Sequence, residues 1–175
     1  MSDERLLILG LGNPLMGDDG AGIQIVEELK KSDLPEYVDV IDGGTAGVGL
    51  IDLMSGYSRV IVVDAVMVDV ETPQREVSLT TLHNPLSIRE RDRPVLREVE
   101  GVRVGLNSDD NCSLHEMELT SVLRLMQTLG IKIPEITIVG IPAVNIVRGI
   151  GLSEECRRLI PQAVKLITES GGQLP

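Results

Sequence analysis

Phenylalanine and tryptophan are absent from this chain of 175 residues, and there are only two tyrosines. Stacking on nucleobases is therefore nearly unavailable, and Leu, Ile and Val must build the core. Basic residues are also short: 16 Lys and Arg stand against 27 Asp and Glu, for a net charge of −11. A surface of that sign does not suit nucleic acid, which needs cations along its phosphates. It serves solubility, and any specific partner is expected to be neutral or basic. The two cysteines, Cys112 and Cys156, are too few for a disulfide framework and suggest reduced thiols in the cytoplasm. Long apolar runs are missing as well. Leu6–Leu9 is too short for a secretory h-region, and nothing approaches a membrane span. The expectation is a cytoplasmic protein with no membrane partner and, with so few aromatics to mark an interface, a monomer.

Hydrophobic residues make up 42% of the chain, enough for one domain over 1–175 with its own core. Short β-branched runs at Arg5–Leu9, Val38–Ile41, Arg59–Ala65, Glu76–Leu82 and Glu135–Ile141 read as strands. "VIVVDA" and "ITIVGI" are continuously apolar, as in strands covered on both faces. Helical patterns lie between them. From Asp19 to Lys31, Ile23 and Val26 fall at helical spacing, with Ile25 and Leu29 widening the stripe; Asp18 or Asp19 is placed to cap the start and two lysines close the end. Gly47–Met54 is a short helix, and Leu114–Leu129 a longer one stopped by Gly130. Ser153–Glu169 opens on "SEE", a helix-entry signature; Pro161 inside it predicts a kink or two abutting helices.

Alternating strands and helices predict a three-layer α/β/α sandwich around a mostly parallel, twisted sheet of about five strands. Glu76–Leu82 is the exception. Its connection from the preceding strand is too short for a crossover helix, so it is expected to run antiparallel. Residues 84–112 mix charges of both signs with prolines and show no period. They read as an irregular charged loop insertion, either a solvated loop or a substrate-contacting excursion.

The chemistry is concentrated in "ILGLGNPLMGDDGAG" (8–22). Gly10 and Gly12 lie between a strand and a helix and invite a dinucleotide-binding reading. The third glycine of that fingerprint falls on Leu15, no lysine is near, and Asp18 and Asp19 would repel a phosphate. Carboxylates there suit caps or cation ligands. For Asp18 the cap or solvated role is preferred. Asp19 follows the first strand, Asp42 ends the second in "VIDGGTAG", and Asp64 ends the third in "VIVVDAV". Ligands of open α/β sheets bind beyond the carboxyl ends of the strands, where three acids now gather. The chain has two histidines. His115 sits in the first turn of a helix, where a neutral imidazole can join carboxylates on a metal; His83, before a turn, is the weaker candidate. Two carboxylates and one imidazole suit nickel or zinc and leave coordination positions open. Cys112, three residues before His115, offers a soft ligand, although a lone loop cysteine is more often incidental. Neither a serine-hydrolase elbow nor a zincin motif occurs.

Taken together, "GLGNPLMGDDGAG" (10–22), "DGGTAG" (42–47), "VVDA" (62–65), "LHEMELTSVL" (114–123) and "GIGLSEE" (149–155) resemble the hydrogenase maturation endopeptidases. That family trims a C-terminal extension from the large subunit of nickel–iron hydrogenases. The resemblance implies that Asp19, Asp64 and His115 are metal ligands. It also implies that Asp42, Gly43, Gly44 and Thr45 contact the precursor. The nickel is then carried by the substrate, with zinc or another divalent ion as a surrogate. Two departures stand out: Pro142 where the family often has Gln, and Glu116 beside the histidine.

The expected reaction is attack of water on the peptide bond, with catalytic roles for Asp19 and Asp64. Either the metal activates the water or carbonyl, or Asp19 or Asp42 acts as general base. The alternative is a nickel-binding maturation chaperone or binding module without peptidase activity. A third reading, a nucleotide-dependent oxidoreductase, is disfavoured by Leu15, Asp18 and Asp19.

Overall fold

A computed structural model describes residues 5–68, 76–82, 114–149 and 151–169. Its elements run β1 (Leu6–Leu11), α1 (Ala21–Leu29), β2 (Val38–Gly44), α2 (Leu50–Met54), β3 (Arg59–Met67), β4 (Ser78–Leu82), α3 (Leu114–Thr128), β5 (Glu135–Ala143) and α4 (Glu154–Glu169). Two 3-10 turns, Gly17–Gly20 and Gly47–Gly49, lead directly into α1 and α2. The described strands form one sheet in the order β2-β1-β3-β5-β4. β1, β2, β3 and β5 pair in parallel, and β4 pairs antiparallel with β5. The three-layer α/β/α arrangement and the single reversed strand match the expectation. The charged stretch 84–112, with Cys112 and His83, lies outside the described residues.

The core follows from strand alternation. Leu6, Ile8, Ile61, Val63, Val139 and Ile141 turn to the face covered by α1 and α4. Leu7, Leu9, Val60, Val62 and Ile136 turn to the face covered by α2 and α3. β1 is buried along its whole length, as a strand with neighbours on both sides and helices on both faces must be. Leu, Ile and Val make up most of both layers, with Met54, Met126 and Cys156 among them and Tyr57 packed at the side of one.

Two prolines illustrate how position decides tolerance. The carbonyl of Ala143 accepts from Val68 N at 3.1 Å, so its neighbour Pro142 turns its nitrogen to the other edge of β5. There β4 has already ended, its last partner being Ser78 opposite Gly140, and no ladder bond is lost. Pro161 lies inside α4, which is one helix rather than two abutting ones. It sits on the exposed face, so the carbonyl it leaves unbonded is on the solvent side. Among the described residues, no helix is long and apolar enough to cross a membrane.

Candidate functional site

The carboxyl ends of β2 and β1 lie beside β3, and β2 and β3 run on to Gly44 and Met67, so Asp42 and Asp64 stand just inside their strands rather than ending them. Gly10 is paired with Asp42 on one side and with Val63, the residue before Asp64, on the other. The register then slips: Leu11 pairs with Gly44, and Gly43 is skipped as a bulge. A side chain at Gly43 would meet the tips of Leu9 and Leu11 at 2.8 and 3.0 Å, so glycine lets the bulge pack closely on β1. Bulges redirect a strand end. This one turns Asp42–Thr45 outward, where Asp42 and Thr45 are exposed. The Asp42 carboxylate folds back onto Gly44 N at 2.8 Å, fixing the turn.

Asp19 is 8% exposed. Its Oδ2 accepts from Asn13 N at 2.9 Å, and Gly12 N donates to Gly44 O at 3.0 Å. The first loop is thereby joined to the 42–47 segment. Asp64 is 4% exposed, with Oδ1 accepting from Ala65 N at 2.8 Å. By alternation with Val60 and Val62 it faces the α2–α3 layer. The start of α1 presses on the neighbouring residue, because a side chain at Gly22 would lie 2.3 Å from Val63 O and 2.4 Å from Leu11 O.

His115 is the second residue of α3. α3 ends just before β5 begins at Glu135, opposite Arg59 at the amino edge. Its first turn therefore lies toward the carboxyl edge. From Thr128 back to His115 the helix rises about 20 Å, and from Arg59 to Asp64 the strand rises about 16 Å. The start of α3 thus lies toward the Asp64 end of the sheet, in the helical layer that covers the Asp64 face. The His115 and Glu116 side chains lie outside what is described. Among the described residues, no group of three or more His, Cys, Asp and Glu side chains is disposed to hold a metal ion.

Two expectations are corrected. Neither Asp18 nor Asp19 caps α1: its N-cap is Gly20 and receives no side-chain bond. The 3-10 turn ahead of the helix supplies backbone acceptors instead, with Ala21 N bonded to Asp18 O and Asp19 N to Met16 O. Nor is Asp18 solvated. It is 0% exposed, and its carboxylate receives Val144 N, Asn145 N and both donors of Ser153. Ser153 was legible as a helix entry, since its Oγ accepts from Cys156 N at 3.2 Å. Its bond to Asp18 spans 135 residues, and no local pattern announces it.

Cys156 is buried beside this carboxylate. Burial first, then the Asp18 charge and a hydrogen bond to it, push the thiol from an ordinary 9.0 up to about 12. It is not a nucleophile. Between those two values the folded chain keeps a proton that the unfolded chain has lost. Stability from this group is therefore complete below 9.0 and lost as pH rises toward about 12. At about pH 8, iodoacetamide is expected to leave Cys156 unmodified in the folded protein and to alkylate it in denaturant. Peptide mapping reads both states.

The fold and this edge define a doubly covered α/β protein with acid-bearing loops, not phosphate-binding ones, at the carboxyl ends of its strands. The hydrogenase maturation protease family model matches residues 23–73 and 97–170. This chain belongs to the hydrogenase maturation protease family. It is 29% identical to the hydrogenase 2 maturation protease of Escherichia coli (strain K12), over 93% of this chain and 88% of that one. The solved hydrogenase maturating endopeptidase HybD from E. coli superposes with a TM-score of 0.70 at 26% identity, covering 95% of this chain and 94% of that one. The [NiFe] hydrogenase maturation protease HybD from Thermococcus kodakarensis gives 0.69 at 27%, covering 95% and 99%.

Proposed function

We propose that this chain is the endopeptidase that removes the C-terminal extension of a nickel–iron hydrogenase large-subunit precursor once nickel has been inserted. The observation that carries the reading is the convergence of Asp19, Asp42 and Asp64 on one sheet edge in a chain of this family. The nickel belongs to the substrate. Asp19, Asp64 and His115 would hold it, oxygen and nitrogen donors suited to a borderline divalent ion, and zinc or another such ion would serve as surrogate. Asp19 and Asp64 support this as two carboxylates on neighbouring elements at the same side of the sheet. When bound, the ion supplies Lewis acidity near the scissile bond.

The chain's own residues do the rest. Asp42, Gly43, Gly44 and Thr45 present an exposed, hydrogen-bonded turn to the precursor. Water is the nucleophile in this reading, and Cys156, buried and protonated, takes no part as one. Asp19 or Asp42 takes the proton as the water attacks. The reading carries with it a monomer acting in the cytoplasm, without nucleic acid or membrane.

Incubation with nickel-loaded and nickel-free precursor, followed by intact mass, tests this. Loss of a short C-terminal peptide from the loaded form alone is expected. An unshortened loaded precursor held in a stable complex would replace the protease reading with that of a binding module.

A further inference from the structure

We propose that Asp18 is a positioning residue of this site: it fastens the loop bearing Asp19 to the β5–α4 loop and so sets where the Asp19 carboxylate stands. The inference rests on the role proposed above for Asp19. Asp18 Oδ2 accepts from Val144 N at 3.1 Å, Asn145 N at 3.0 Å and Ser153 Oγ at 3.0 Å, while Oδ1 accepts from Ser153 N at 2.6 Å. Every one of these neighbours is a donor. The same two loops are joined by Asp18 N to Asn145 O and Gly149 N to Leu15 O, each at 2.9 Å. They also touch at Gly17, where a side chain would lie 2.4 Å from Asn145 O.

The next residue is held from the opposite side. The carbonyl of Asp19 would lie 1.9 Å from a side chain at Gly12, and its carboxylate holds Asn13 N. Asp19 therefore sits between a glycine contact on the β1 side and the Asp18 latch on the β5–α4 side. Releasing the latch removes the side-chain part of the hold on the β5–α4 side and leaves the backbone bonds between the two loops. Asparagine is no substitute at Asp18. Its amide group would face either Ser153 N–H or the N–H groups of Val144 and Asn145, setting donor against donor. Ser153 is the second half of the latch, donating to Asp18 and accepting from Cys156 N.

The test combines residue-resolved amide hydrogen exchange with steady-state cleavage of nickel-loaded precursor by Asp18→Asn, Ser153→Ala and Ser153→Thr. In Asp18→Asn, exchange at Asn13 is expected to quicken about ten-fold while Ile8 and Val62 in the core strands keep their protection. For the same variant, kcat is expected to fall about ten-fold or more with KM within about two-fold of the parent. Ser153→Ala should move both readouts in the same direction by less, and Ser153→Thr, which keeps the hydroxyl, should restore them. If Asp18→Asn does not fold, the Ser153 pair decides alone. Parental exchange at Asn13 together with parental kcat overturns the proposal. So does a rise in KM at constant kcat, or an equal loss of protection throughout the sheet. Should the parent itself fail to cleave, the protease reading falls, and exchange at Asn13 still decides whether Asp18 holds Asp19.

Discussion

Asp64→Asn is expected to abolish cleavage of the nickel-loaded precursor, by at least about a thousand-fold in kcat/KM, while the protein still unfolds cooperatively. The substitution is close to isosteric. An amide oxygen can go on accepting from Ala65 N, as Oδ1 does at 2.8 Å. What disappears is the negative charge within β3, where the side chain is buried among residues that are otherwise apolar from Val60 to Val66. A neutral amide there is cheaper to keep from water than a carboxylate, so the strand keeps its place in the sheet. Loss of activity with the fold retained would therefore report on the charge and not on packing. Intact mass of the precursor reads cleavage, and a thermal melt reads the fold. Full activity in a folded Asp64→Asn protein would remove Asp64 from the docking of the metal.

The second large effect is steric. Gly12 has φ 126° and its absent side chain would lie 1.9 Å from Asp19 O. Gly12→Ala thus meets two penalties. The backbone angle disfavours any Cβ, at about 1–3 kcal/mol, and the overlap must be relieved by moving the Asp19 loop, at about 1–3 kcal/mol more. The control is Gly47→Ala. That glycine also has positive φ, 50°, but nothing lies within 4 Å of its missing side chain, so the expected loss is only about 1 kcal/mol. Urea unfolding of both variants, compared at equal m, separates the two terms. Gly12→Ala should also cleave poorly, because relieving the overlap displaces Asp19. Equal losses of stability at the two positions would mean that the close approach of the loop carries no weight.

Legibility varied with the range of the cause. The continuous apolar runs of β3 and β5 announced strands covered on both faces, and their alternation with helical stripes announced the layers. The reversed β4 was legible too, because so short a connection excludes a crossover helix. Its edge position next to β5, with Ser78 opposite Gly140, was not. The acids near this edge could be listed in advance because ligand sites of open sheets depend on where strands stop, although β2 and β3 run on past Asp42 and Asp64 to Gly44 and Met67. The capping role given to Asp18 or Asp19 failed because a 3-10 turn, invisible in composition, already supplies backbone acceptors to α1. Of the kink or the two abutting helices that Pro161 suggested, the second is excluded: it lies within one helix, on a face where the lost bond is cheap.

By itself, then, the sequence determined what short-range physics determines: hydrophobic period, turn chemistry, the family signature and the residue types able to bind a cation. The tertiary structure alone decided how the two adjacent acids of the first loop are held: Asp18 among the donors of the β5–α4 loop, Asp19 on Asn13 N of its own loop. Asp18 and Asp19 are neighbours of the same type, and nothing local distinguishes them. They differ because the β5–α4 loop, 126 to 135 residues further along, brings a set of N–H and O–H donors to one of them. A buried carboxylate is tolerated only where such donors converge.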